Sequence, residues 1–237
     1  MQKVINTYKN LGETPLECLE RVRIESGISS DVPMTYAGRL DPLAEGEIII
    51  LVGDECKNKE KYLGFDKEYE VDVLFGISTD THDVLGMIDG AKGGVVGDID
   101  LNKYIGKFVQ EYPRYSSRII AMKEVPEEMP TKEVEIYSIE NLGKREMTGA
   151  EVLEQVKKNI TLVKGDFRQK EIVGKWEEVI SGELAEAKFS ILKIKVKCSS
   201  GTYMRSLAKR MGEDVGLGEL AIGIRRTRIL VFQHVPT

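Results

Sequence analysis

The chain contains the sequence YAGRLDPLAEG at residues 36–46, followed at once by EIIILVG at residues 47–53. The first part predicts a glycine-rich loop that carries one carboxylate, Asp41, and the second is short and apolar enough to be a buried strand. Pro42 favours extended backbone at Asp41, and the glycines on either side permit sharp turns. A single acid on a loop at the mouth of a rigid strand suits catalysis. Taken alone, however, the stretch is more typical of a simple turn, which is what most Asp-Pro pairs form.

Length and composition exclude several classes of protein. The 237 residues, 41% apolar and 31% charged, fit one soluble domain or one domain carrying an insertion. The longest apolar run, residues 48–52, is too short to cross a bilayer, and the N-terminus predicts no signal peptide. Three scattered cysteines indicate a reducing cytoplasm rather than a disulfide framework or a thiolate zinc site. Two histidines, His82 and His234, exclude a histidine-rich metal centre.

Charge is distributed unevenly along the chain. The net charge is −5, which by itself argues against a protein that binds polyanions. Residues 188–237, however, hold ten Lys or Arg and three Asp or Glu, a net +7, which leaves −12 for the rest. This asymmetry predicts one basic face that could steer a nucleic acid to one side of an acidic body.

Hydrophobic periodicity predicts alternating helices and strands. Thr14 and Glu17 form the capping-box pattern of a helix that ends at Gly27. Further helices are predicted at residues 98–111, 148–158 and 167–180, and strands or extended segments at 67–76, 112–121, 134–142 and 189–198. The helices at 148–158 and 167–180 are rich in charge and light in apolar residues, which favours an inserted subdomain with a solvated face.

Two of the predicted strands alternate between apolar and charged residues. In residues 67–76, Tyr69 begins the apolar face, where a half-buried tyrosine that covers the core is the commoner interpretation. In residues 189–198, Lys193, Lys195 and Lys197 share the face opposite the apolar residues. A solvated sheet face is the simplest interpretation of these lysines.

The helix that follows this strand presents an unusual cation. Thr202 is its predicted N-cap and Gly216 its end. Arg205 therefore lies in the first turn, where the helix dipole disfavours positive charge. A cation in that position needs an anionic partner, and a carboxylate such as Asp41 or a phosphate would serve.

Three motifs together resemble the TruB-type pseudouridine synthases. Residues 38–46 (GRLDPLAEG) are similar to the family's G-x-L-D-P-x-A-x-G. KEY at 67–69 and GISTDTHDVLG at 76–86 are similar to K-x-Y…G-x-x-T-D-T-x-D-x-x-G. CSSGTYMR at 198–205 is similar to C-x-x-G-T-Y-x-R, and a paired arginine follows at 225–226 as in the family. Each motif alone is weak, but their shared order over residues 8–230 carries the resemblance.

The resemblance implies an α+β fold with a mixed, largely antiparallel central sheet flanked by helices, the pseudouridine synthase core. It implies an enzyme that breaks the N-glycosidic bond of uridine in RNA, rotates the base and rejoins it through carbon, with no cofactor and no metal. Asp41 would be the essential carboxylate, acting either as a nucleophile on the sugar or as a base on a ribose proton. Tyr69 would stack on the base and handle the proton at carbon 5, and Arg205 would pair with Asp41.

Further substrate contacts follow from the same resemblance. The uridine must leave its stack to reach the site, at a cost that stacking and phosphate contacts recover. The residues expected to line the uracil pocket are Tyr36, Tyr203 and Ile224. Those expected to contact RNA phosphates are Lys193, Lys195, Lys197, Arg225 and Arg226.

The chain departs from the family pattern at several positions. Tyr36 stands where the family usually has a histidine before the catalytic loop, and Lys9-Asn10 stands where the family has lysine–proline early in the chain. Arg39 stands where the family usually has a small or neutral residue. Residues 1–237 are expected to form a single catalytic domain with a helical insertion at about 143–183 and no C-terminal PUA domain. The segment after Arg118 is shorter than the family's RNA-gripping thumb.

The sequence thus predicts a monomeric, cytoplasmic tRNA pseudouridine synthase that acts on the T-loop uridine at tRNA position 55, with no membrane contact. The alternative is a non-catalytic tRNA-binding or RNA-folding protein on the same scaffold. A third hypothesis is a glycosidase that uses Asp41, but such enzymes need a second positioned carboxylate, and the sequence nominates none.

Overall fold

The computed structural model describes residues 3–113, 126 and 128–230, and its central feature is an eight-stranded sheet. The strands are β1 (Lys3–Lys9), β2 (Met34–Ala37), β3 (Ala44–Val52), β4 (Asp66–Phe75), β5 (Ile77–Thr79), β6 (Ile88–Ala91), β7 (Gly106–Glu111), β8 (Thr131–Thr148), β9 (Lys188–Cys198) and β10 (Glu219–Leu230). The order in the large sheet is β1-β3-β10-β4-β9-β8-β7, β2 also pairs with β3, and β5 and β6 form a small second sheet. Among the described residues, the pairings between these strands are antiparallel except that of β3 with β10. The predicted mixed, largely antiparallel sheet is confirmed.

Six α-helices accompany the sheet in the described part of the chain. They are α1 (Pro15–Glu25), α2 (Lys59–Leu63), α3 (Gly149–Ile160), α4 (Gln169–Val179), α5 (Glu183–Glu186) and α6 (Met204–Val215). The predicted capping box at the start of α1 is present, because the Thr14 and Glu17 side chains each accept a hydrogen bond from the other's backbone N–H. None of the described helices has the length and apolar character needed to cross a membrane.

The main core lies between the sheet and α6. Along β4, Tyr69, Val71 and Val73 are buried on one face, and the acidic residues between them are half-exposed on the other. The apolar residues of β9 join the same core, and α6 packs Met204, Leu207, Ala208 and Met211 against it. Two-residue alternation in the strands and helical spacing in α6 therefore produce one apolar layer. Tyr69, Cys198 and Met204, which belong to the motifs of the resemblance, lie in this layer.

A second core covers the other face of the sheet at one end, and the helices α3 and α4 contribute more apolar residues to it than the sequence interpretation assigns them. The helices α3 and α4 were expected to be light in apolar residues, but Val152, Val156, Ile172 and Trp176 are fully buried against Leu74 and other sheet residues. The Trp176 indole also donates a hydrogen bond to the Gly86 carbonyl at 3.3 Å. Burying one large apolar side chain stabilises a fold by about 1.5–3 kcal/mol. These helices are part of the folded body, and only their outer faces are solvated.

The predicted helix at residues 98–111 is wrong. A 3-10 turn, Leu101–Tyr104, is followed by strand β7, which pairs with β8 at the sheet edge. Gly106 has φ of +107°, a backbone angle that no α-helix contains, so the helix cannot continue. The sequence pattern concealed this break because apolar residues flank Gly106 at helical spacing.

Two boundaries also differ from prediction. Strand β8 was expected at residues 134–142 but extends to Thr148, because β9 offers partners as far as Lys188. The N-cap of α6 is Tyr203 rather than Thr202, whose hydroxyl donates instead to the Ser199 carbonyl at 2.9 Å. The predicted end of α6 at Gly216 is confirmed. In the predicted extended segment at 112–121, residues from 114 onward, including Arg118 and the start of the short thumb, lie outside the described residues.

Candidate active site

Asp41 lies on the loop between β2 and β3, and buried groups fix the backbone of that loop. The Ala44 N–H donates to the Asp41 carbonyl at 2.9 Å, and the Gly12 N–H donates to the Pro42 carbonyl at 2.9 Å. The Lys9 ammonium donates to the Pro42 carbonyl at 3.2 Å and to the Ala44 carbonyl at 2.6 Å. Lys9 is fully buried, and burial lowers its pKa to about 8. The carboxylate of Asp41 is thus presented, 40% exposed, from a braced loop.

Arg205 reaches Asp41 from the first turn of α6. Its Nη2 lies 3.0 Å from Asp41 Oδ2, and its Nη1 lies 3.4 Å from Asp83 Oδ2 and 3.1 Å from the Thr81 carbonyl. The Arg205 side chain is only 3% exposed. Burial opposes its charge, but the carboxylates of Asp41 and Asp83 outweigh burial and raise the pKa of the guanidinium. The predicted contact between Arg205 and Asp41 is confirmed, and it explains how a cation is tolerated at this helix end.

Asp83 is a second carboxylate on the same guanidinium, and the sequence interpretation missed it. The Asp83 Oδ1 accepts hydrogen bonds from the Thr81 hydroxyl at 2.8 Å and from the Leu85 N–H at 2.9 Å. Burial raises the pKa of the Asp83 carboxyl, while Arg205 acts in the opposite direction. Arg205 therefore lies between two acids, of which Asp41 is 40% exposed and Asp83 is 14% exposed. The aspartates of residues 76–86 were the available signal, because that stretch belongs to a motif of the resemblance, but no role was assigned to Asp83.

The six residues predicted for catalysis or uracil binding meet at one cavity. Its volume is about 550 Å³, and its lining includes Tyr36, Asp41, Tyr69, Tyr203, Arg205 and Ile224. Tyr69 is 8% exposed, and burial raises the pKa of its hydroxyl. Tyr203 meets the ring of Tyr112 edge to face at a centroid distance of 5.7 Å. The cavity therefore combines an ion pair with aromatic walls, which suits a flat, polar base.

Gln110 on β7 fixes the loop that carries Tyr203. Its side-chain NH₂ donates to the Gly201 carbonyl at 2.6 Å, and its side-chain oxygen accepts from the Tyr203 N–H at 3.1 Å. The side chain is buried, so both bonds are shielded from water. The sequence interpretation placed Gln110 in a helix and therefore missed this contact.

A family model matches the part of the chain that carries Asp41, Tyr69 and Asp83. The model for the N-terminal domain of TruB family pseudouridylate synthases matches residues 32–165, more than half of the chain. The chain belongs to the TruB family of pseudouridylate synthases.

Curated relatives in the TruB family support the assignment. A protein named tRNA pseudouridine synthase B from Trichormus variabilis is 28% identical over 240 residues, which cover 96% of this chain and 67% of the relative. A protein of the same name from Francisella tularensis subsp. holarctica is 30% identical over 199 residues, which cover 81% of this chain and 54% of the relative. The chain thus spans between about half and two thirds of the length of these relatives.

Two solved structures share the fold. The first, a Cbf5-Nop10-Gar1 complex, matches with a TM-score of 0.55 and 18% identity over 95% of this chain and 48% of the other. The second, an H/ACA RNP bound to a substrate RNA containing 2′-deoxyuridine, matches with a TM-score of 0.53 and 17% identity over 95% and 47%. At this level of identity, the comparison establishes the fold.

Arg226 is placed differently from the expectation for the paired arginines of the TruB family. Its side chain is 1% exposed, and its guanidinium donates to the carbonyls of Glu47 at 2.6 Å, Gly38 at 3.0 Å and Arg39 at 3.5 Å. Strands β3 and β10 approach so closely here that a Cβ on Gly46 would lie 2.1 Å from the Arg226 carbonyl. Arg226 therefore holds the backbone around the loop that carries Asp41, which argues against the predicted contact with an RNA phosphate.

The other predicted RNA contacts lie on the opposite face of the sheet from the cavity, which we call the lysine face: Lys193, Lys195, Lys197 and Arg225. Val196 on β9 pairs with Tyr69, so the lysines on either side of Val196 point away from the cavity. Lys193 and Arg225 contact Glu70 at 3.0 and 2.7 Å, and Lys195 contacts Glu68 at 3.5 Å. Their position and these pairings argue against the predicted contact with RNA around the target uridine.

Basic residues from other segments line the cavity instead. The sequence interpretation assigned no contact to Lys59, Lys67 or Lys132, yet all three belong to the lining. The Lys67 ammonium donates to the carbonyls of Leu63 and Phe65, and burial together with Arg226 lowers its pKa to about 8. Within the described part of the chain, no cluster of three His, Cys, Asp or Glu side chains could hold a metal ion.

Proposed function

We propose that the chain is a tRNA pseudouridine synthase that converts the T-loop uridine at tRNA position 55 into pseudouridine. The observation that carries the proposal is the pair of Asp41 and Arg205, with an Nη2 to Oδ2 distance of 3.0 Å, in a cavity with tyrosine walls. The relatives named tRNA pseudouridine synthase B support tRNA as the substrate. The RNA contact is expected to be the T stem-loop, with the chain acting as a monomer in the cytoplasm.

Asp41 is the proposed catalytic carboxylate. It is 40% exposed towards the cavity, whereas its partner Arg205 is buried behind it. In the reaction the bond between N1 of uracil and C1′ of ribose breaks, the base rotates, and a bond forms between C5 and C1′. Asp41 acts either as a nucleophile at the sugar or as a base that removes a ribose proton. In both routes the Arg205 guanidinium holds the carboxylate in one orientation.

Tyr69 is the proposed base platform and proton carrier. Its ring lies in the cavity wall, where it can stack on a flipped uracil. Because burial raises the pKa of its hydroxyl, Tyr69 is a neutral phenol at neutral pH. It therefore passes on the proton from C5 as a hydrogen-bonded relay rather than acting as a standing phenolate base. Tyr36, Tyr203 and Ile224 complete the proposed uracil pocket.

Chemical mapping of pseudouridine on an unmodified tRNA transcript tests the substrate assignment. We expect modification at position 55 and none in a matched transcript that carries cytidine there. If position 55 stays unmodified while the protein still binds the transcript in a salt-sensitive way, the non-catalytic RNA-binding alternative is correct.

A further inference from the structure

A basic and aromatic cluster lies at the cavity wall and is independent of the Asp41 ion pair. The guanidinium carbon of Arg39 lies 5.7 Å from the ring centroid of Tyr36, and the Lys59 ammonium lies 5.4 Å from the same centroid. All three residues line the cavity. Each cation is within the range of a cation–π contact, so one ring holds two positive charges beside the proposed uridine site.

The two cations lack counter-ions. Among the described residues, no carboxylate lies within 4 Å of either the Arg39 guanidinium or the Lys59 ammonium, although Glu60 belongs to the same wall. On the lysine face, by contrast, Lys193 and Lys195 each have a glutamate partner. Two like charges on one ring repel each other, and a bound anion would remove that repulsion.

The cluster is built on fixed backbone. Tyr36 lies on β2 opposite Ile50 of β3, and Lys59 is the first residue of α2. The backbone of Arg39 is held because the buried Arg226 donates to the carbonyls of Gly38 and Arg39. The side chain of Arg39 itself is exposed. Because a strand, a helix and a buried guanidinium fix the backbone of these three residues, less conformational entropy is lost when the cluster binds a ligand.

We propose that Arg39 and Lys59, oriented by the Tyr36 ring, form a subsite for RNA backbone phosphate beside the flipped uridine. The proposal rests on the proposed function, since it takes RNA as the ligand. Flipping a nucleotide draws its flanking phosphates towards the wall of the cavity that receives the base. Arg and Lys are the side chains that neutralise such phosphates, and doing so releases counter-ions.

The experiment compares the single variants Arg39→Gln and Lys59→Gln with the matched control Lys61→Gln. Lys61 makes the same kind of contact, with its ammonium 5.9 Å from the Tyr62 ring, but it does not line the cavity. Binding of an unmodified tRNA transcript is measured over a range of salt concentrations, and the single-turnover rate is measured at saturating RNA. Thermal melting confirms that each variant is folded.

We expect each subsite variant to weaken binding roughly threefold to fivefold near 0.1 M salt. The slope of log K against log salt should become shallower by about 0.7–0.9 for each phosphate contact removed. The rate at saturating RNA should stay at the wild-type value, and Lys61→Gln should change neither quantity.

Two outcomes overturn the subsite. One is that Arg39→Gln and Lys59→Gln bind tRNA with the same affinity and salt slope as Lys61→Gln. The other is that they bind more weakly with an unchanged salt slope, which indicates contact with a base instead of a phosphate. A shallower slope in a protein that forms no pseudouridine would refute the proposed function but retain the subsite. Normal pseudouridine formation with unchanged salt slopes in both variants would retain the proposed function and refute the subsite.

Discussion

Basic residues lie on both faces of the central sheet, but the groups that they pair with differ between the faces. On the lysine face, Lys193, Lys195 and Arg225 pair with glutamates of β4. On the cavity face, Arg205 holds two aspartates, and Arg226 is occupied by backbone carbonyls. Neighbouring residues of a strand point to opposite faces of the sheet, and for this reason Arg225 pairs with a glutamate while Arg226 binds backbone carbonyls. A basic stretch in the sequence therefore identifies an RNA surface only when the face and the partners of each residue are known.

The largest expected difference between the faces, in both stability and reaction rate, is between the variants Arg205→Met and Lys195→Met. Arg205→Met leaves Asp83 buried without its cation and should cost about 3–5 kcal/mol of folding free energy. It should also lower the single-turnover rate by about 10³-fold, because Asp41 loses its orienting partner. Lys195→Met removes an exposed ion pair and should cost less than about 1 kcal/mol. Urea unfolding and tritium-release kinetics measure both effects, and equal costs for the two variants would contradict the comparison.

The adjacent arginines of β10 provide an intermediate test. Arg226→Met should cost about 2–3 kcal/mol in urea unfolding, because three backbone carbonyls lose a buried charged donor. Arg225→Met, which removes an exposed contact with Glu70, should stay within about 1 kcal/mol of wild type. Unchanged stability together with a shallower salt dependence of tRNA binding in Arg226→Met would restore the original expectation of an RNA contact there.

The smallest effect is expected from the triple variant Lys193→Gln, Lys195→Gln and Lys197→Gln. Because Lys193 and Lys195 already pair with glutamates and salt screens charge beyond about 8 Å, tRNA affinity should fall no more than about twofold. Filter binding at physiological salt measures it, with the double variant Arg39→Gln and Lys59→Gln as the comparison. A triple variant that binds more weakly than this double variant would place the RNA on the lysine face.

The sequence predicted the parts of the site that local rules or motifs encode. The position of Arg205 in a first helical turn required an anion, and the resemblance named Asp41, which the structure places 3.0 Å away. Strand alternation also predicted the apolar face of β4 and the opposite face of the lysines. These features depend on spacing of two or about four residues, which can be counted directly in a sequence.

The remainder depends on strand register and long-range contact. The sequence could not predict which face of the sheet Arg226 points to, because the two-residue alternation of β10 is interrupted. Strand β10 shifts register relative to β4 between Ala221 and Gly223 and again between Arg226 and Arg228. Asp83 reaches Arg205 across more than a hundred residues of chain, and Gln110 reaches Tyr203 from a strand that resembled a helix. Lys9 matched half of a family motif, but its hydrogen bonds to the catalytic loop are visible only in the fold.

The most direct test of the central claim is tritium release from a tRNA transcript labelled at carbon 5 of uridine, with Asp41→Asn compared to wild type in a single turnover. The amide keeps the size of the side chain but can neither attack the sugar nor remove a proton. We predict complete release by wild type and none by Asp41→Asn, with tRNA affinity within about threefold of wild type because phosphates are neutralised by basic side chains and not by a carboxylate. Release by Asp41→Asn at a rate comparable to wild type would contradict the account.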